Sequence, residues 1–200
     1  MSHLSGKTIA FLVASEGIER VELTDPWQAV TDAGAQPVLL SPESGEVQTF
    51  DHLDKAETRT VDKTVASASV DDYDALVLPG GVMNPDALRM QPQAVAFVKA
   101  FFDAAKPVAA ICHGPWTVLE TGAARGYRMT SWPSLKTDIR NAGAEWVDQE
   151  VVVDDNLVTS RKPEDIPAFN REMLELFGRY QARRGGGRPR AAAEPPNTRR

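Results

Sequence analysis

Residues 108–116 read Val-Ala-Ala-Ile-Cys-His-Gly-Pro-Trp, and this stretch predicts both the fold and the reactive group. The apolar residues are typical of a short strand buried on both faces, and Pro115 suits the first turn of a helix. Cys112, the only cysteine of the 200-residue chain, falls on the turn between them. A thiol on such an elbow is a candidate nucleophile, and we expect helix amides there to lower its pKa. The alternative is a buried cysteine that acts as a small hydrophobe.

Apolar strands and helical segments alternate on both sides of this stretch. The predicted strands cover residues 8–13, 37–40, 72–79 and 107–111, with weaker strand pairs at 45–50 with 58–65 and within 151–159. The predicted helices cover residues 21–34, 92–105, 115–121, 134–142 and 163–180. This order predicts an α/β domain over residues 1–180, with a mostly parallel sheet between helices. Active sites of such sheets lie at the carboxyl ends of strands, which here are followed by residues 14–20, 79–85 and 112–116.

Composition and charge exclude several classes of function. The formal net charge is −6, yet residues 181–200 hold six Arg and one Glu, so the body of the chain is strongly acidic. An acidic body argues against nucleic acid as the main ligand. The basic, Arg/Gly/Pro-rich tail at 181–200, which we expect to be disordered, could touch RNA, an anionic surface or an acidic partner. We find no membrane span or signal-peptide core, and expect a cytoplasmic protein without internal disulfides. The scattered cysteine and histidines predict no metal site, and we expect no cofactor.

Four further positions near the predicted strand ends carry chemistry. His113 is either an acid or base at the pocket mouth or a hydrogen-bonded turn histidine. Glu19 could reach the thiol with a carboxyl whose pKa is raised by burial, although Glu16 and Glu22 are rivals on the residues alone. The glycines at 80–81 let a backbone approach a ligand, and their amides could form an oxyanion pocket.

Several strings in order resemble the DJ-1/PfpI superfamily, in the branch of PfpI-type intracellular proteases and general stress proteins. The resemblance spans about residues 7–180. Its strings lie at residues 14–23, 73–81, 84–89, 110–116, 130–134 and 141–148. It implies a flavodoxin-like three-layer α/β sandwich that forms a homodimer and in some members a hexamer.

The resemblance also implies roles for particular residues. Cys112 would be the nucleophile, Glu19 its hydrogen-bonding carboxyl, and His113 the histidine of a Cys-His pair. Asp86 stands where PfpI-type proteases carry a glutamate that acts from a neighbouring subunit. The amides of Gly81 and His113, with Gly80 beside them, would form the oxyanion pocket, and Trp116 its wall.

The family implies a stress-response, cysteine-dependent hydrolase that uses a low-pKa thiol. Such an enzyme would act on peptides or, as a glyoxalase or deglycase, on small reactive dicarbonyls and glycated groups. The alternative is a non-enzymatic sensor or chaperone in which peroxide oxidises Cys112 to the sulfenic or sulfinic acid. A stress-induced scaffold with an incidental cysteine is a third hypothesis. The fold alone does not choose among them.

Overall fold

The apolar run before Cys112 forms a central strand of a seven-stranded sheet. The computed structural model describes residues 4–180, and element bounds are given for that part of the chain. The strands are β1 Thr8–Leu12, β2 Glu16–Glu19, β3 Gln36–Ser41, β4 Glu46–Asp51, β5 Asp54–Thr60, β6 Lys63–Thr64, β7 Ala75–Leu78, β8 Val108–Ile111, β9 Arg128–Met129, β10 Glu145–Trp146, β11 Val151–Asp154 and β12 Leu157–Ser160. The helices are α1 Arg20–Asp32, α2 Met83–Arg89, α3 Pro92–Asp103, α4 Pro115–Glu120, α5 Lys136–Asn141 and α6 Ile166–Arg179.

The main sheet has the strand order β11-β12-β8-β7-β1-β3-β6. Neighbouring strands are parallel except for β11, which runs antiparallel to β12. Strands β1, β7 and β8 are adjacent, with Phe11 opposite Val77 and Val77 opposite Ala109. The three loops that follow these strands therefore meet at one edge of the sheet.

Alternate residues of the strands feed two apolar cores, one on each face. Ile9 and Phe11 of β1 pack with residues of α1 and α6, whereas Ala10 and Leu12 pack with residues of α2 to α5. Because side chains alternate along a strand, a strand in the middle of this sandwich must be apolar at every position. The predicted fold, a mostly parallel sheet between two helical layers in a flavodoxin-like arrangement, is confirmed.

The structure adds elements inside two predicted loops. Residues 16–19 form β2, which pairs in parallel with β4 in a separate three-stranded sheet that β5 completes. Residues 83–89 form the short helix α2. Backbone pairing with a hairpin distant in sequence creates β2, so its local sequence gives little sign of it. The predicted strand pair about Asp155 is confirmed, with Asp155 at a φ of 53° in the turn.

The termini fall outside the described residues. The basic tail predicted at residues 181–200 lies there, so the structure says nothing about it. Among the helices within residues 4–180, none is long and apolar enough to cross a membrane.

Candidate active site

Cys112 stands directly after β8 on a sharp turn into α4. Its φ is +60°, in the left-handed region that residues with a Cβ seldom adopt, and this typically costs about 1–3 kcal/mol. Two backbone hydrogen bonds hold the strained residue: its N–H donates to the Ser160 carbonyl at 3.0 Å, and its carbonyl accepts from the Trp132 N–H at 2.9 Å. The side chain is 7% exposed. The elbow therefore presents the thiol at the sheet edge with almost no freedom of position.

The turn depends on glycines that leave no room for a side chain. A Cβ on Gly80 would lie 2.6 Å from the Cys112 Cβ and 2.9 Å from the Ile111 carbonyl oxygen, and would also collide with the Glu22 carboxyl. A Cβ on Gly114 would collide with the carbonyl of Leu78. The loop after β7 is thus packed directly against Cys112.

The carboxyl beside the thiol belongs to Glu22, and the expectation for Glu19 is wrong in position. Glu22 lies in the first turn of α1, is completely buried and interacts with Cys112. Glu19 ends β2, and its carboxylate accepts a hydrogen bond from the His52 N–H at 3.2 Å, at the tip of the β4–β5 hairpin. Glu16 is exposed. Because α1 begins at Arg20, Glu22 lies in the helix with its side chain toward the edge of the sheet, whereas Glu19 still belongs to β2.

The Glu22 carboxyl and the Cys112 thiol lie side by side in a buried site, so the charge of one affects the pKa of the other. Burial raises the pKa of Glu22 from 4.5 to about 8, although interaction with Cys112 and with the amides of Gly80 and Gly81 opposes the rise. Neither Glu22 oxygen makes a hydrogen bond of regular geometry to any residue within 4–180. The carboxyl is held by close packing against Cys112 and the Gly80–Gly81 segment.

Burial, and then the charge of Glu22, raises the pKa of the Cys112 thiol, while the amides of Gly81 and His113 oppose the rise. The amides at the elbow do lower this pKa, but burial and the neighbouring carboxylate outweigh them, so the expectation of a low-pKa thiol is wrong for the resting site. Two negative charges cannot both persist in so dry a site. A Cys112 thiolate therefore requires that Glu22 hold the proton.

His113 contacts the thiol through its own side chain. Its Nδ1 lies 3.3 Å from the Cys112 Sγ, and burial lowers the pKa of the ring to about 4. The imidazole is neutral near pH 7, so it can accept or relay a proton but does not stabilise a thiolate as a cation. The Trp132 ring stacks on it with centroids 5.9 Å apart, and the Ser134 hydroxyl lies 3.5 Å from Nε2. Sequence reasoning missed Trp132 and Ser134, since both approach from a distant segment.

Trp116 is fixed at one side of the histidine. Its ring centroid lies 5.4 Å from that of His113, its Nε1–H donates to the Asp138 carboxylate at 2.8 Å, and the Arg89 guanidinium lies over its ring. A tryptophan held at both its edge and its face forms a rigid surface, which fits the predicted pocket wall.

Asp86 is not brought to the thiol within one chain. It lies exposed on α2, and no hydrogen bond or ion pair within residues 4–180 connects its carboxylate to Cys112 or His113.

The same part of the chain contains no group of three or more His, Cys, Asp and Glu side chains that could hold a metal ion.

A separate groove of about 410 Å³ opens at the opposite edge of the sheet, near the amino ends of β1 and β3. Lys63 and Asp62 line it, and Lys63 is paired with Asp72 at 3.4 Å. Neither Cys112 nor His113 lines this groove. We place the candidate active site at the carboxyl edge, where the thiol, the buried carboxyl and the imidazole meet.

Comparisons with known proteins agree with this geometry. The sequence profile described as "DJ-1/PfpI family" matches residues 7–176. The chain is 42% identical to Protein/nucleic acid deglycase 2 of Escherichia coli (strain K12) over 173 residues, which cover 86% of this chain and 98% of the relative. It is 44% identical to General stress protein 18 of Bacillus subtilis (strain 168), with the same coverage of both chains.

A solved structure from Anabaena variabilis, a two-domain protein with DJ-1/ThiJ/PfpI-like and ferritin-like domains, matches with a TM-score of 0.81 and 34% identity. The match covers 86% of this chain and 48% of that one, so this chain spans about half of the two-domain protein. The profile match, the identities over most of the chain and the shared fold agree: the chain belongs to the DJ-1/PfpI family.

Proposed function

We propose that the protein is a cysteine-dependent deglycase of the stress response, which acts on groups modified by small reactive dicarbonyls such as methylglyoxal. The observation that carries this proposal is the arrangement at Cys112: a constrained thiol, a buried carboxyl able to hold its proton, and a neutral imidazole at 3.3 Å from the sulfur. The names of the deglycase and general stress relatives support the same conclusion.

The arrangement suits addition of the thiol to a carbonyl. The sulfur of Cys112 forms a bond to the carbonyl carbon, the carbonyl π electrons move to oxygen, and the thiol proton passes to Glu22 in its ionised form. The amides of Gly81 and His113, which already face the sulfur, stabilise the oxyanion. In a carbinolamine adduct of methylglyoxal the C–N bond then breaks, its electron pair stays on nitrogen, and the carbinol carbon becomes an aldehyde as its O–H proton passes through the neutral His113 imidazole to the departing amine. The adduct at Cys112 then collapses with return of the proton from Glu22 to sulfur, which frees the dicarbonyl beside the free amine.

The test compares wild-type protein with Cys112→Ser on an N-acetyl-lysine or N-acetyl-arginine substrate pretreated with methylglyoxal. We expect release of the free amino acid by the wild type and none above background by the variant. Wild-type protein blocked with iodoacetamide serves as a second inactive sample with an unchanged sequence. Turnover that persists in Cys112→Ser would refute the role of the thiol.

Peptide hydrolysis is the alternative enzymatic outcome, and a fluorogenic peptide library under the same conditions tests it. Cleavage that needs Cys112, with no release from the glycated amino acids, would replace the deglycase proposal with a protease.

Oxidation sensing is a second candidate function, and the single cysteine of the chain favours it. Without a second thiol in the chain, a sulfenic acid at Cys112 cannot form an intramolecular disulfide and proceeds to the sulfinic acid or to an external thiol. Intact mass after mild peroxide would show the addition of one or two oxygen atoms, absent in Cys112→Ala. Such addition without turnover of any carbonyl substrate would favour the sensor.

We also propose that two copies associate through the exposed face of α2. Val82, Met83 and Met90 are 55%, 52% and 73% exposed, which leaves an apolar surface around Asp86. Asp86 would then face the site of the partner. Sedimentation measures the assembly, and activity regained on mixing Cys112→Ser with Asp86→Asn would show that Asp86 of one subunit completes the site of the other.

We also propose that the protein works in the cytoplasm, because a lone reduced thiol suits a reducing compartment.

A further inference from the structure

Asn84 is the most highly connected buried polar side chain near the site. It lies in the first turn of α2 with no exposed surface. Its Oδ1 accepts from the Ala14 N–H at 2.7 Å, and its Nδ2 donates to the carbonyls of Pro79 at 2.9 Å and Gly80 at 3.1 Å. One side chain thus connects the loop after β1 to the loop after β7.

The two carbonyls that accept hydrogen bonds from Asn84 determine where two backbone N–H groups point. In a trans peptide the C=O and the N–H of the same planar unit point in opposite directions, and the described chain contains no cis peptide. The Pro79 carbonyl shares its peptide unit with the Gly80 N–H, and the Gly80 carbonyl shares its unit with the Gly81 N–H. With both carbonyls turned toward Asn84, both N–H groups must point away from it.

The side opposite Asn84 is the reactive pair. The amides of Gly80 and Gly81 face Glu22, and that of Gly81 also faces the Cys112 sulfur. The loop is packed closely against the segment after β1, since a Cβ on Gly81 would lie 2.8 Å from the Glu19 nitrogen and would collide with the Gly17 carbonyl. Backbone packing thus fixes where the loop lies, and Asn84 fixes which way its peptide planes face.

We propose that Asn84 is a positioning residue that turns the Gly80 and Gly81 N–H groups toward Cys112 and Glu22. Its effect on turnover rests on the proposed function, but its effect on the thiol does not. Without the Asn84 amide the Pro79 carbonyl loses its bond from Asn84, and the Gly80 carbonyl keeps only the long hydrogen bond from the Glu19 N–H at 3.4 Å. Both peptide units then gain freedom to rotate, and the sulfur and the oxyanion lose aligned donors. Asn84 itself touches neither substrate nor sulfur in this arrangement.

The experiment compares Asn84→Ala with the matched control Asn156→Ala. Asn156 is also buried, and it makes comparable bonds: it accepts from the Tyr127 hydroxyl at 2.6 Å and donates to the Lys106 carbonyl at 2.7 Å, near the amino end of β8 and away from Cys112. Both variants are neutral, so neither adds a charge near the thiol. The readout is the rate of Cys112 alkylation by iodoacetamide against pH, beside urea unfolding.

We expect both variants to lose similar stability. Only Asn84→Ala should raise the pH midpoint of the Cys112 alkylation rate, by about one pH unit, because the thiolate loses aligned N–H donors. This corresponds to an alkylation rate about tenfold lower at pH 7. On the glycated substrate its kcat should fall about tenfold or more, while KM stays within about threefold, as for a lost oxyanion donor.

An alkylation profile of Asn84→Ala that superimposes on wild type would overturn the proposal, as would an equal shift in Asn156→Ala. If Asn84→Ala does not fold, Asn84→Ser, whose shorter hydroxyl cannot reach both carbonyls, is judged by the same profile. If the wild-type protein shows no deglycase turnover and Asn84→Ala still shifts the alkylation profile, the positioning role of Asn84 is supported and only the proposed function is refuted.

Discussion

Replacing the buried carboxyl of Glu22 by an amide should remove a large pH dependence of folding. Burial raises the pKa of Glu22 from 4.5 to about 8. A group that binds its proton more tightly in the folded state contributes stability that is fully present below pH 4.5. That stability is lost as the pH rises through about 8. At 1.36 kcal/mol for each pKa unit, the loss reaches about 5 kcal/mol.

Glu22→Gln keeps the shape of the side chain and cannot ionise. At pH 8 the free energy of unfolding of the variant should therefore exceed that of wild type by up to about 5 kcal/mol, and this difference should shrink as the pH falls toward 4.5. The assay is urea unfolding, followed by circular dichroism, at half-unit steps from pH 4.5 to 8.5. The difference between the two proteins cancels the titration of every other carboxyl.

Glu16→Gln is the matched control, because it removes an exposed carboxylate from the same segment and should change stability by no more than about 0.5 kcal/mol at any pH. A wild-type minus Glu22→Gln difference that stays flat across this range would refute the claim that burial governs Glu22. It would also remove the argument that Glu22 holds the proton of the Cys112 thiol.

Three further outcomes follow from the packing. Gly80→Ala should destabilise the protein by about 1–3 kcal/mol in urea and slow alkylation of Cys112, since the added methyl meets the Cys112 Cβ at 2.6 Å; wild-type values for both would contradict the packing. Cys112→Gly should be about 1 kcal/mol more stable than Cys112→Ala, because glycine adopts a φ of +60° without strain; equal unfolding midpoints would argue against strain. Asp138→Ala frees the Trp116 indole, and KM for the glycated substrate should rise about 2–10-fold with kcat unchanged; an unaltered KM would separate Trp116 from the pocket.

Much of this arrangement could be predicted from local sequence. The apolar run before Cys112 and the proline after it determine a strand, a turn and a helix start within nine residues, because hydrophobic burial and the missing proline N–H act over short distances. The glycine pair at the end of β7 was recognised for the same reason. Strand and helix alternation then requires that these strand ends share one edge of a sheet.

The choice among three glutamates could not be made in this way. Glu16, Glu19 and Glu22 lie within seven positions, and the helix start at Arg20 decides which of them turns inward. That start depends on β2, which exists only because it pairs with β4. The role of Asn84 was equally hidden, since its partner Ala14 is 70 residues away in sequence.

The sequence by itself determined the layered α/β fold, the position of the nucleophile and the glycines beside it, because each follows from burial and backbone preferences of neighbouring residues. Only the tertiary structure decided that Glu22 is the carboxyl beside Cys112, that the His113 ring is neutral, and that Asn84 binds the two carbonyls of the loop beside the sulfur. These properties depend on desolvation and on hydrogen bonds between segments far apart in the chain, and both exist only after the chain has folded.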